Sequence, residues 1–326
     1  MKKALITGIS GQDGSYLAEL LLTKGYEVHG VVRRQAVEDP SRQLFNLETI
    51  KDRVVLHTAS LDNHLSLYKV IREVQPDECY HLAASSFVSY SFDDESSILT
   101  SNFNGTHYLL ASIKEIIPEC RFFFAGSSEM FGRVLSAPQN ELTPFNPRSV
   151  YGISKLASYH LVRNYRNQYG IFACTGILYN HESPRRDFKF VTRKVTSTAA
   201  KIKLGLENKL YLGNLEALRD WGYAPDYVDA MWLMLQRSAP EDYVIASGTN
   251  HSVQEFVDCA FRCVGLDFRD FVELDQRFYR EGETVPLCGN SYKIREELNW
   301  KSERKLEDII KEMVENDLRL LSGDRL

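Results

Sequence analysis

Short apolar runs alternate with amphipathic stretches through the first half of the chain, and this pattern predicts strands and helices in turn. The first helix is predicted over residues 14–24. Because such alternation is typical of parallel sheets, we expect an α/β fold with a doubly wound parallel sheet, whose ligands lie beyond the carboxyl ends of the strands. The predicted strands are residues 4–7, 27–32, 54–57, 78–82, 122–125 and 172–178.

The pattern becomes irregular after Asn180, and helix-like stretches return at residues 253–264 and 306–321. This change indicates a smaller, helix-rich C-terminal lobe that covers the site. The predicted division is a sheet domain over residues 1–180, which part of residues 217–248 rejoins, and a substrate-binding lobe over residues 181–326.

Composition and charge narrow the possible partners. The chain has 326 residues, a net charge of -5 and a pI near 6.0. Because no basic excess attracts nucleic acid or an anionic membrane, we expect neither as a partner. The six cysteines include no CxxC pair and no cluster with histidine at zinc spacing, which favours reduced thiols, a cytoplasmic protein and no metal. No apolar run is long enough for a signal peptide or a membrane span.

Three glycines mark the turn between the first predicted strand and the first predicted helix. Gly8, Gly11 and Gly14 allow backbone N–H groups and the positive helix end to approach a pyrophosphate. Spaced glycines alone are weak evidence, but the flanking strand and helix favour a dinucleotide site. The sheet domain is therefore predicted to be a Rossmann domain.

The end of the second predicted strand indicates which dinucleotide binds. An NAD enzyme is expected to have an acidic residue there, to bind the ribose hydroxyls. This chain has Arg33 and Arg34 instead. Two guanidinium groups favour a 2′-phosphate, so NADP is the expected cofactor. A solvated surface pair is the alternative interpretation.

Four side chains suit acid/base chemistry on a sugar. Tyr151 and Lys155 lie on one face of a predicted helix, where the ammonium favours the phenolate form of a base. Ser127 follows a predicted strand and can polarise the reacting oxygen, and Glu129 is a second acid/base that plain alcohol oxidation does not need. A helix cap and a first-turn acid are the alternative interpretations of these two residues. Because His181 has no neighbouring metal ligands in the sequence, we do not predict a metal site there.

The chain resembles the extended short-chain dehydrogenase/reductase superfamily, and within it the GDP-mannose 4,6-dehydratases. The resemblance covers nearly the whole length, and its most diagnostic stretch is Asn-His-Glu-Ser-Pro-Arg-Arg. The segments that carry it are residues 7–17 (TGISGQDGSYL), 74–78 (VQPDE), 180–186 (NHESPRR), 190–194 (FVTRK), 212–214 (LGN) and 218–222 (LRDWG).

The resemblance implies a set of site residues. Catalytic roles fall on Ser127, Glu129, Tyr151 and Lys155. Contacts with NADP are implied for Gly8, Gly11, Gln12, Asp13, Gly14, Arg33, Arg34, Asp62, Leu82, Ala83, Ala84, Tyr151, Lys155, His181 and Arg186. Contacts with a GDP-sugar are implied for Asn180, Val191, Lys194, Gly213, Arg219, Arg280 and Glu283. Both Arg219 and Arg280 also suit a diphosphate by their charge.

The chain departs from the family pattern without losing a reacting group. Ser127 stands where Thr is usual, and Met130-Phe131 replaces Leu-Tyr. Asp187 replaces a Gly in a loop expected near the sugar, and Ser97 stands where a Tyr is frequent. GDP-mannose and GDP-manno-heptose therefore both remain candidate substrates.

We expect a sugar-nucleotide 4,6-dehydratase, a hydro-lyase that recycles its NADP. C4 is oxidised, water is eliminated across C5 and C6, and the hydride returns to C6, which gives a 4-keto-6-deoxy sugar. Lys155 and the nicotinamide are expected to lower the pKa of Tyr151. The alternatives are a sugar-nucleotide 4-keto reductase or 4-epimerase, and a cofactor-binding regulatory protein without catalysis. The resemblance suggests a homodimer or homotetramer.

Overall fold

The computed structural model describes residues 1–39, 44–85, 95–278 and 285–323. The strands are β1 (Lys3–Thr7), β2 (Glu27–Val32), β3 (Val54–Thr58), β4 (Glu78–His81), β5 (Arg121–Ala125), β6 (Ala173–Leu178), β7 (Asn180–Glu182), β8 (Leu210–Leu212), β9 (Leu218–Tyr223), β10 (Tyr243–Ile245), β11 (Asn250–Ser252) and β12 (Val272–Leu274). The α-helices are α1 (Gln12–Thr23), α2 (Arg34–Glu38), α3 (His64–Val74), α4 (Glu95–Leu99), α5 (Gly105–Ile116), α6 (Val150–Tyr169), α7 (Val191–Lys203), α8 (Ala224–Leu235), α9 (Val253–Cys263), α10 (Tyr292–Leu298) and α11 (Leu306–Ser322). A π-helical segment covers Thr100–Asn104, and 3-10 turns cover Phe45–Leu47, Lys51–Arg53, Ser128–Met130, Phe268–Asp270 and Gln276–Phe278.

Seven strands form one parallel sheet in the order β10-β6-β5-β4-β1-β2-β3. Six of them are the predicted strands, and each end lies within one residue of its predicted position. The strand order reverses direction at β1, which is the topology of a doubly wound sheet. The predicted fold class is therefore confirmed.

Helices cover both faces of this sheet, which explains why its strands read as apolar runs. On one face, α1 and α8 bury residues such as Leu17 and Met231 against β1, β2 and β6. On the other face, α3, α5 and α6 bury residues such as Leu67, Leu110 and Val162. Two packed hydrophobic layers, one on each face, therefore support the parallel sheet.

The chain leaves the sheet after β6 and returns to it late. β10 pairs in parallel with β6, and α8 packs against α1. Both elements lie within residues 217–248. The division of the chain into two domains stays a prediction.

The rest of the C-terminal half forms a second hydrophobic core. Helices α7, α9 and α11 pack around it with residues such as Phe256, Phe261 and Met313. Two small sheets, β11-β9-β7 and β12-β8, complete this part of the molecule. Most of their strands have three residues, which is too short to give a periodic signal in the sequence.

No helix in the described ranges is long and apolar enough to cross a membrane. The same ranges contain no group of three His, Cys, Asp or Glu side chains placed to hold a metal ion. All six cysteines lie within the described part of the chain as free thiols.

Candidate active site

The carboxyl ends of the parallel strands meet at one edge of the sheet, and most predicted site residues lie there. Gly8 directly follows β1 and Arg33 directly follows β2. Ser127 comes two residues after β5, and Asn180 comes two residues after β6. The fold thus gathers segments that are far apart in sequence.

The turn from β1 into α1 has no room for side chains at its glycines. Gly8 has a φ of 76°, a left-handed conformation that favours glycine. A Cβ on Gly14 would lie 2.2 Å from the carbonyl oxygen of Gly8, so only glycine allows this close turn. Gly11 caps α1 without a side-chain hydrogen bond, which leaves first-turn N–H groups to meet an anion. The loop therefore fits the pyrophosphate of a dinucleotide.

Two arginines lie where the second strand ends. Arg33 and Arg34 are both exposed. Nε of Arg34 donates to Oε1 of Glu38 at 3.1 Å, in an ion pair on the surface of α2. Both cations therefore remain accessible to a phosphate group, since a surface pair of this kind is weak.

The other cofactor candidates also follow strands of the parallel sheet. Asp62 comes after β3, is exposed, and accepts a hydrogen bond from Ser101 Oγ at 2.8 Å. Leu82, Ala83 and Ala84 follow β4 and are half-buried. The segment is held to β1 because the N–H of Ala83 donates to the Thr7 hydroxyl at 3.2 Å.

Ser127, Glu129 and Tyr151 come together where β5 ends and α6 begins. Oγ of Ser127 accepts a hydrogen bond from the Glu129 N–H at 3.2 Å and is also hydrogen-bonded to the Tyr151 phenol. A Cβ on Gly152 would lie 2.6 Å from the carbonyl oxygen of Glu129, so glycine lets α6 pack against this turn. The cluster combines a hydroxyl, a phenol and a carboxylate.

Lys155 lies one turn after Tyr151 on α6, as the spacing predicts. Its Nζ donates to the carbonyl oxygen of Ala125 at 2.8 Å and lies 5.9 Å from the centroid of the Tyr151 ring. Burial lowers the pKa of Lys155 to about 7. This lysine can therefore exchange a proton near neutral pH.

The pKa of Tyr151 depends mainly on burial. Burial raises it to about 12, the hydrogen bond with Ser127 opposes this rise, and the negative charge of Glu129 adds to it. The positive charge of Arg186 lowers it only in part. The predicted lowering concerns the protein with a nicotinamide bound and stays a prediction; in this structure, burial outweighs the nearby positive charge.

Gln12, Asp13, His181 and Ser183 form a closed hydrogen-bond network beside the glycine loop. Gln12 Nε2 donates to Asp13 Oδ1 and to the carbonyl oxygen of His181, each at 3.0 Å, and Gln12 Oε1 accepts from Ser183 Oγ at 2.8 Å. Nε2 of His181 lies 2.9 Å from Asp13 Oδ2. The resemblance implies cofactor contacts for the first three residues, but their polar side-chain groups pair with one another.

Burial alone would raise the pKa of Asp13. The charge of His181 and the hydrogen bonds from His181 and Gln12 outweigh burial, so the pKa of the carboxyl is lowered. Asp13 is therefore ionised at neutral pH, and its Oδ2 lies 2.9 Å from Nε2 of His181.

Arg185 and Arg186 are neighbours with different partners. Arg185 NH2 donates to Glu19 Oε1 at 2.6 Å, which ties the segment after β7 to α1. Nε of Arg186 lies 3.3 Å from the buried carboxylate of Glu182. Glu19 therefore holds Arg185 against α1. Arg186, which pairs with Glu182, lies on the side of the segment that faces Tyr151 and Asp13.

The described substrate candidates lie on β7, on α7, after β8 and on β9. Nζ of Lys194 donates to the carbonyl oxygen of Tyr211 at 2.6 Å, and Arg219 donates to the preceding backbone carbonyl at 2.6 Å. Arg280 and Glu283 lie outside the described residues. The positions are Asn180 (β7), Val191 and Lys194 (α7), Gly213 (after β8) and Arg219 (β9).

The family departures lie in different environments. Met130 and Phe131 are both 0% exposed, and Phe131 packs against Phe145. Both side chains therefore belong to the core and offer no exposed surface to a ligand. Asp187 is exposed, and its carboxylate accepts the N–H of Lys189 at 2.9 Å, so it remains available to a polar ligand group.

Two buried polar residues support the site and were not predicted. Asn102 Nδ2 donates to Ser154 Oγ at 3.1 Å, and Asn102 Oδ1 accepts the Ser85 N–H at 2.9 Å, which links the segment after β4 to α6. The signal in the sequence is helical spacing, because Ile98, Asn102 and Thr106 recur every four residues and are all buried.

Asp220 is the second of these residues. Its carboxylate accepts hydrogen bonds from the Ser247 N–H and hydroxyl and from the N–H groups of Gly248 and Gly289, at 2.6 to 3.0 Å. These hydrogen bonds hold the segments at residues 247–248 and 289 against β9, the strand that also carries Arg219. Its partners are distant in sequence, so no local pattern could reveal this role.

Comparison with known proteins identifies the family. A family model described as "GDP-mannose 4,6 dehydratase" matches residues 5–313. The chain belongs to this family. It is 46% identical to "GDP-mannose 4,6 dehydratase 2" of Arabidopsis thaliana, over 100% of this chain and 89% of the relative. It is 45% identical to the GDP-mannose 4,6 dehydratase of Homo sapiens, over 98% of this chain and 92% of the relative.

The fold of this GDP-mannose 4,6-dehydratase family member is shared more widely. The crystal structure of a UDP-glucose 4-epimerase from Thermotoga maritima superposes with a TM-score of 0.86, at 22% identity, over 98% of this chain and 99% of that chain. At this identity the similarity concerns the fold alone. The resemblance to the family is thus confirmed. The fold alone does not determine the chemistry, which depends on the residues of the site.

Proposed function

We propose that this protein is an NADP-dependent 4,6-dehydratase of a GDP-sugar with manno configuration. One observation carries the proposal: Glu129 lies in one cluster with Ser127 and Tyr151, in a chain that matches dehydratases along its whole length. Oxidation at C4 needs only the hydroxyl, the phenol and Lys155. The additional carboxylate suits removal of a C5 proton, which a simple oxidoreductase does not require.

The residues that would hold the cofactor surround the glycine loop. Backbone N–H groups from Gly11 to Gly14 would bind the pyrophosphate, and Arg33 with Arg34 would bind a 2′-phosphate. When bound, a nicotinamide dinucleotide accepts a hydride from C4 of the sugar and returns it to C6. NADP, rather than NAD, is proposed because both arginines are exposed and no acidic residue ends β2.

The preference for NADP can be tested by replacing both arginines. Arg33→Ala with Arg34→Ala should weaken NADP by about 10- to 100-fold, since hydrogen bonds to charged groups contribute roughly 1.5–3 kcal/mol. Affinity for NAD should stay nearly unchanged, because NAD has no 2′-phosphate. Arg262→Ala, on the distant helix α9, is a matched control. Equal losses for NADP and NAD would contradict this role.

The first proton transfer falls to Tyr151. The phenolate form of Tyr151 would take the proton of the C4 hydroxyl and become the phenol, while Ser127 donates a hydrogen bond to the same C4 oxygen. Because burial holds the pKa of Tyr151 at about 12, the phenol needs positive charge nearby before it can act at neutral pH. Lys155 and the oxidised cofactor are proposed to supply that charge.

The elimination falls to Glu129. A keto group at C4 makes the hydrogen on C5 acidic, and the carboxylate can remove that proton. The protonated carboxyl can then donate to the C6 hydroxyl, which leaves as water. After the hydride has returned to C6, a proton returns to C5, and the product is a 4-keto-6-deoxy sugar.

The family and the loop after β7 support the choice of GDP as the nucleotide and of a manno-configured sugar. The relatives are named for GDP-mannose, and Asn180 and Arg186 match the family segment. Asp187 is exposed where the family has Gly, so a hydroxymethyl group on C6, as in GDP-manno-heptose, is also proposed to be accepted. An apolar pocket would discriminate the two sugars only by roughly 10 to 200-fold. The preferred sugar would be identified by kcat/KM for both.

Two further properties are proposed. The family resemblance supports a homodimeric or homotetrameric state, and the six free cysteines support a cytoplasmic location. Sedimentation of the purified chain would test the first, and fractionation of cells that express it would test the second.

The decisive experiment is product analysis without added reductant. The protein should convert GDP-mannose, with a catalytic amount of NADP, to a product lighter by one water molecule. A 4-keto reductase would instead consume NADPH, and a 4-epimerase would give a product with the mass of the substrate. Either of these outcomes would replace the proposal.

A further inference from the structure

The buried carboxylate of Glu182 lies between two segments that have separate roles in the proposed function. Glu182 is the last residue of β7 and is 1% exposed. Its Oε2 accepts a hydrogen bond from the Thr192 hydroxyl at 2.5 Å and lies 3.3 Å from Nε of Arg186. One oxygen atom therefore contacts both the cofactor candidate Arg186 and the first turn of α7.

The N-terminus of α7 has no capping or anionic side chain of its own. Phe190, at the N-cap position, has no side-chain acceptor, and the first turn, residues 191–194 (VTRK), contains no acidic residue. Negative charge is favourable at a helix N-terminus, because the first N–H groups lack partners within the helix. Glu182 places a carboxylate against this turn from the preceding strand, through its hydrogen bond with the buried Thr192.

The segment between the two contacts is short and tightly folded. The Arg186 N–H donates to the carbonyl oxygen of Ser183 at 3.0 Å, and the Phe190 N–H donates to the carbonyl oxygen of Asp187 at 3.1 Å. The Arg186 guanidinium also lies over the Phe190 ring, with Cζ 3.7 Å from the ring centroid. A shift of Arg186 should therefore be transmitted to the start of α7.

We infer that Glu182 and Thr192 are positioning residues that couple the two ligand sites. The carboxylate holds Arg186 for the cofactor and, through Thr192, holds the turn of α7 that carries the substrate candidates Val191 and Lys194. This inference deepens the proposed function and rests on it. Because coupling between two sites is reciprocal, NADP and the nucleotide of the substrate should each strengthen binding of the other by the same factor.

GDP is the probe for this coupling, because it has no sugar ring that could touch the nicotinamide. Its Kd is measured by calorimetry on the purified protein, with and without saturating NADP, so no turnover is needed. In the wild-type protein, NADP should lower the Kd of GDP by about fivefold or more, the lower end of typical coupling between two sites. If both ligands bind and the Kd of GDP stays the same, the inference fails while the proposed function stands. If the protein binds neither NADP nor GDP, the proposed function fails, and the inference fails with it.

Variants of the two positioning residues show whether the coupling runs through their contact. Thr192→Val removes the hydroxyl but keeps the shape of the side chain, and it should reduce the coupling to less than about twofold. Thr192→Ser keeps the hydroxyl and should retain the wild-type factor. Glu182→Gln should also lose the coupling, because a neutral amide does not attract Arg186, and if this variant fails to fold, Thr192→Val decides. Undiminished coupling in Thr192→Val would overturn the inference.

Thr198→Val is the matched control for the same substitution on the same helix. Thr198 is also buried on α7, but it lies about 9 Å further along the helix axis than Thr192. This variant should keep the wild-type coupling factor. A loss equal to that of Thr192→Val would mean that any change within α7 weakens the coupling, which would contradict a specific role of the contact with Glu182.

Discussion

At the scale of single residues, the proposed chemistry is divided between Tyr151 and Glu129. Tyr151 is buried beside Lys155, and Glu129 is half-buried at the turn that follows β5. The first residue serves oxidation at C4, whereas the second serves elimination across C5 and C6. A change at one of them should therefore stop one step and leave the other.

Glu129→Gln should separate the two steps, because the amide cannot accept the C5 proton. Formation of the 4-keto-6-deoxy product should fall by roughly 10² to 10⁴-fold, the usual contribution of a positioned acid/base. Reduced cofactor should accumulate on the enzyme and be visible by its absorbance. Glu115→Gln, an exposed change on α5, is the control. Dehydration at the wild-type rate would mean that another group removes the proton.

Lys155→Met should shift the pH profile of turnover. The phenol must lose its proton to act, so activity rises with pH, and positive charge near Tyr151 moves that rise to lower pH. Formation of the phenolate beside Lys155 stabilises its ammonium form, so loss of this charge in the variant should move the rising limb up by at least one pH unit, which corresponds to about 1.4 kcal/mol.

Lys114→Met is a matched control for this experiment, because Lys114 also lies beside a tyrosine, with Nζ 4.4 Å from the ring of Tyr169. Rates are measured from about pH 6 to pH 10 at saturating substrate. An unchanged profile in Lys155→Met would show that this lysine does not tune the base.

At the scale of elements, an ion pair anchors the late strand β10 to the sheet. Both oxygens of Asp242, the residue before β10, accept from Arg166 on α6 at 3.0 and 2.8 Å. Asp242 also accepts the Thr175 N–H from β6 at 2.8 Å. The pair is mostly buried, so removing one partner leaves a charge without compensation.

Arg166→Ala should therefore destabilise the protein by about 3 to 5 kcal/mol, the usual loss for a broken buried pair. Urea unfolding, followed by circular dichroism, measures the change. Arg262→Ala removes the exposed pair with Asp258 on α9 and should cost only about 0.3–0.5 kcal/mol. Equal shifts of the two midpoints would contradict the anchoring role of Asp242.

The elements also show what the sequence could predict. Periodicity located six strands of the main sheet, because most of them are apolar runs buried on both faces; the edge strand β3 is apolar at its start but only Val54 is buried. Glycine spacing located the turn after β1, since Gly14 has no room for a Cβ. The neighbours of β10 in the sheet, and strands such as β7 and β11, are determined by distant partners, so no local pattern specified them.

The same distinction holds within the site. Tyr151 and Lys155 follow from helical geometry, and their proximity was predictable from spacing. The raised pKa of Tyr151 was not predictable, because it depends on burial that only the folded chain creates. The partners of His181 were hidden for the same reason, since Asp13 is 168 positions away in sequence.

At the scale of the whole molecule, the proposed function means that one protein oxidises, dehydrates and reduces the same sugar. The parallel sheet supplies the cofactor edge, and the described substrate candidates lie on β7, on α7, after β8 and on β9. A hydride taken from C4 must therefore return to C6 of the same molecule. This internal transfer distinguishes a dehydratase from every alternative considered.

The most direct measurement uses GDP-mannose that carries deuterium at C4. With a catalytic amount of NADP and no added reductant, the product should have lost one water molecule and should carry the deuterium at C6. Mass spectrometry gives the loss, and NMR gives the position of the label. A product that keeps the mass of the substrate, or one that carries no deuterium at C6, would show that the protein is not a 4,6-dehydratase.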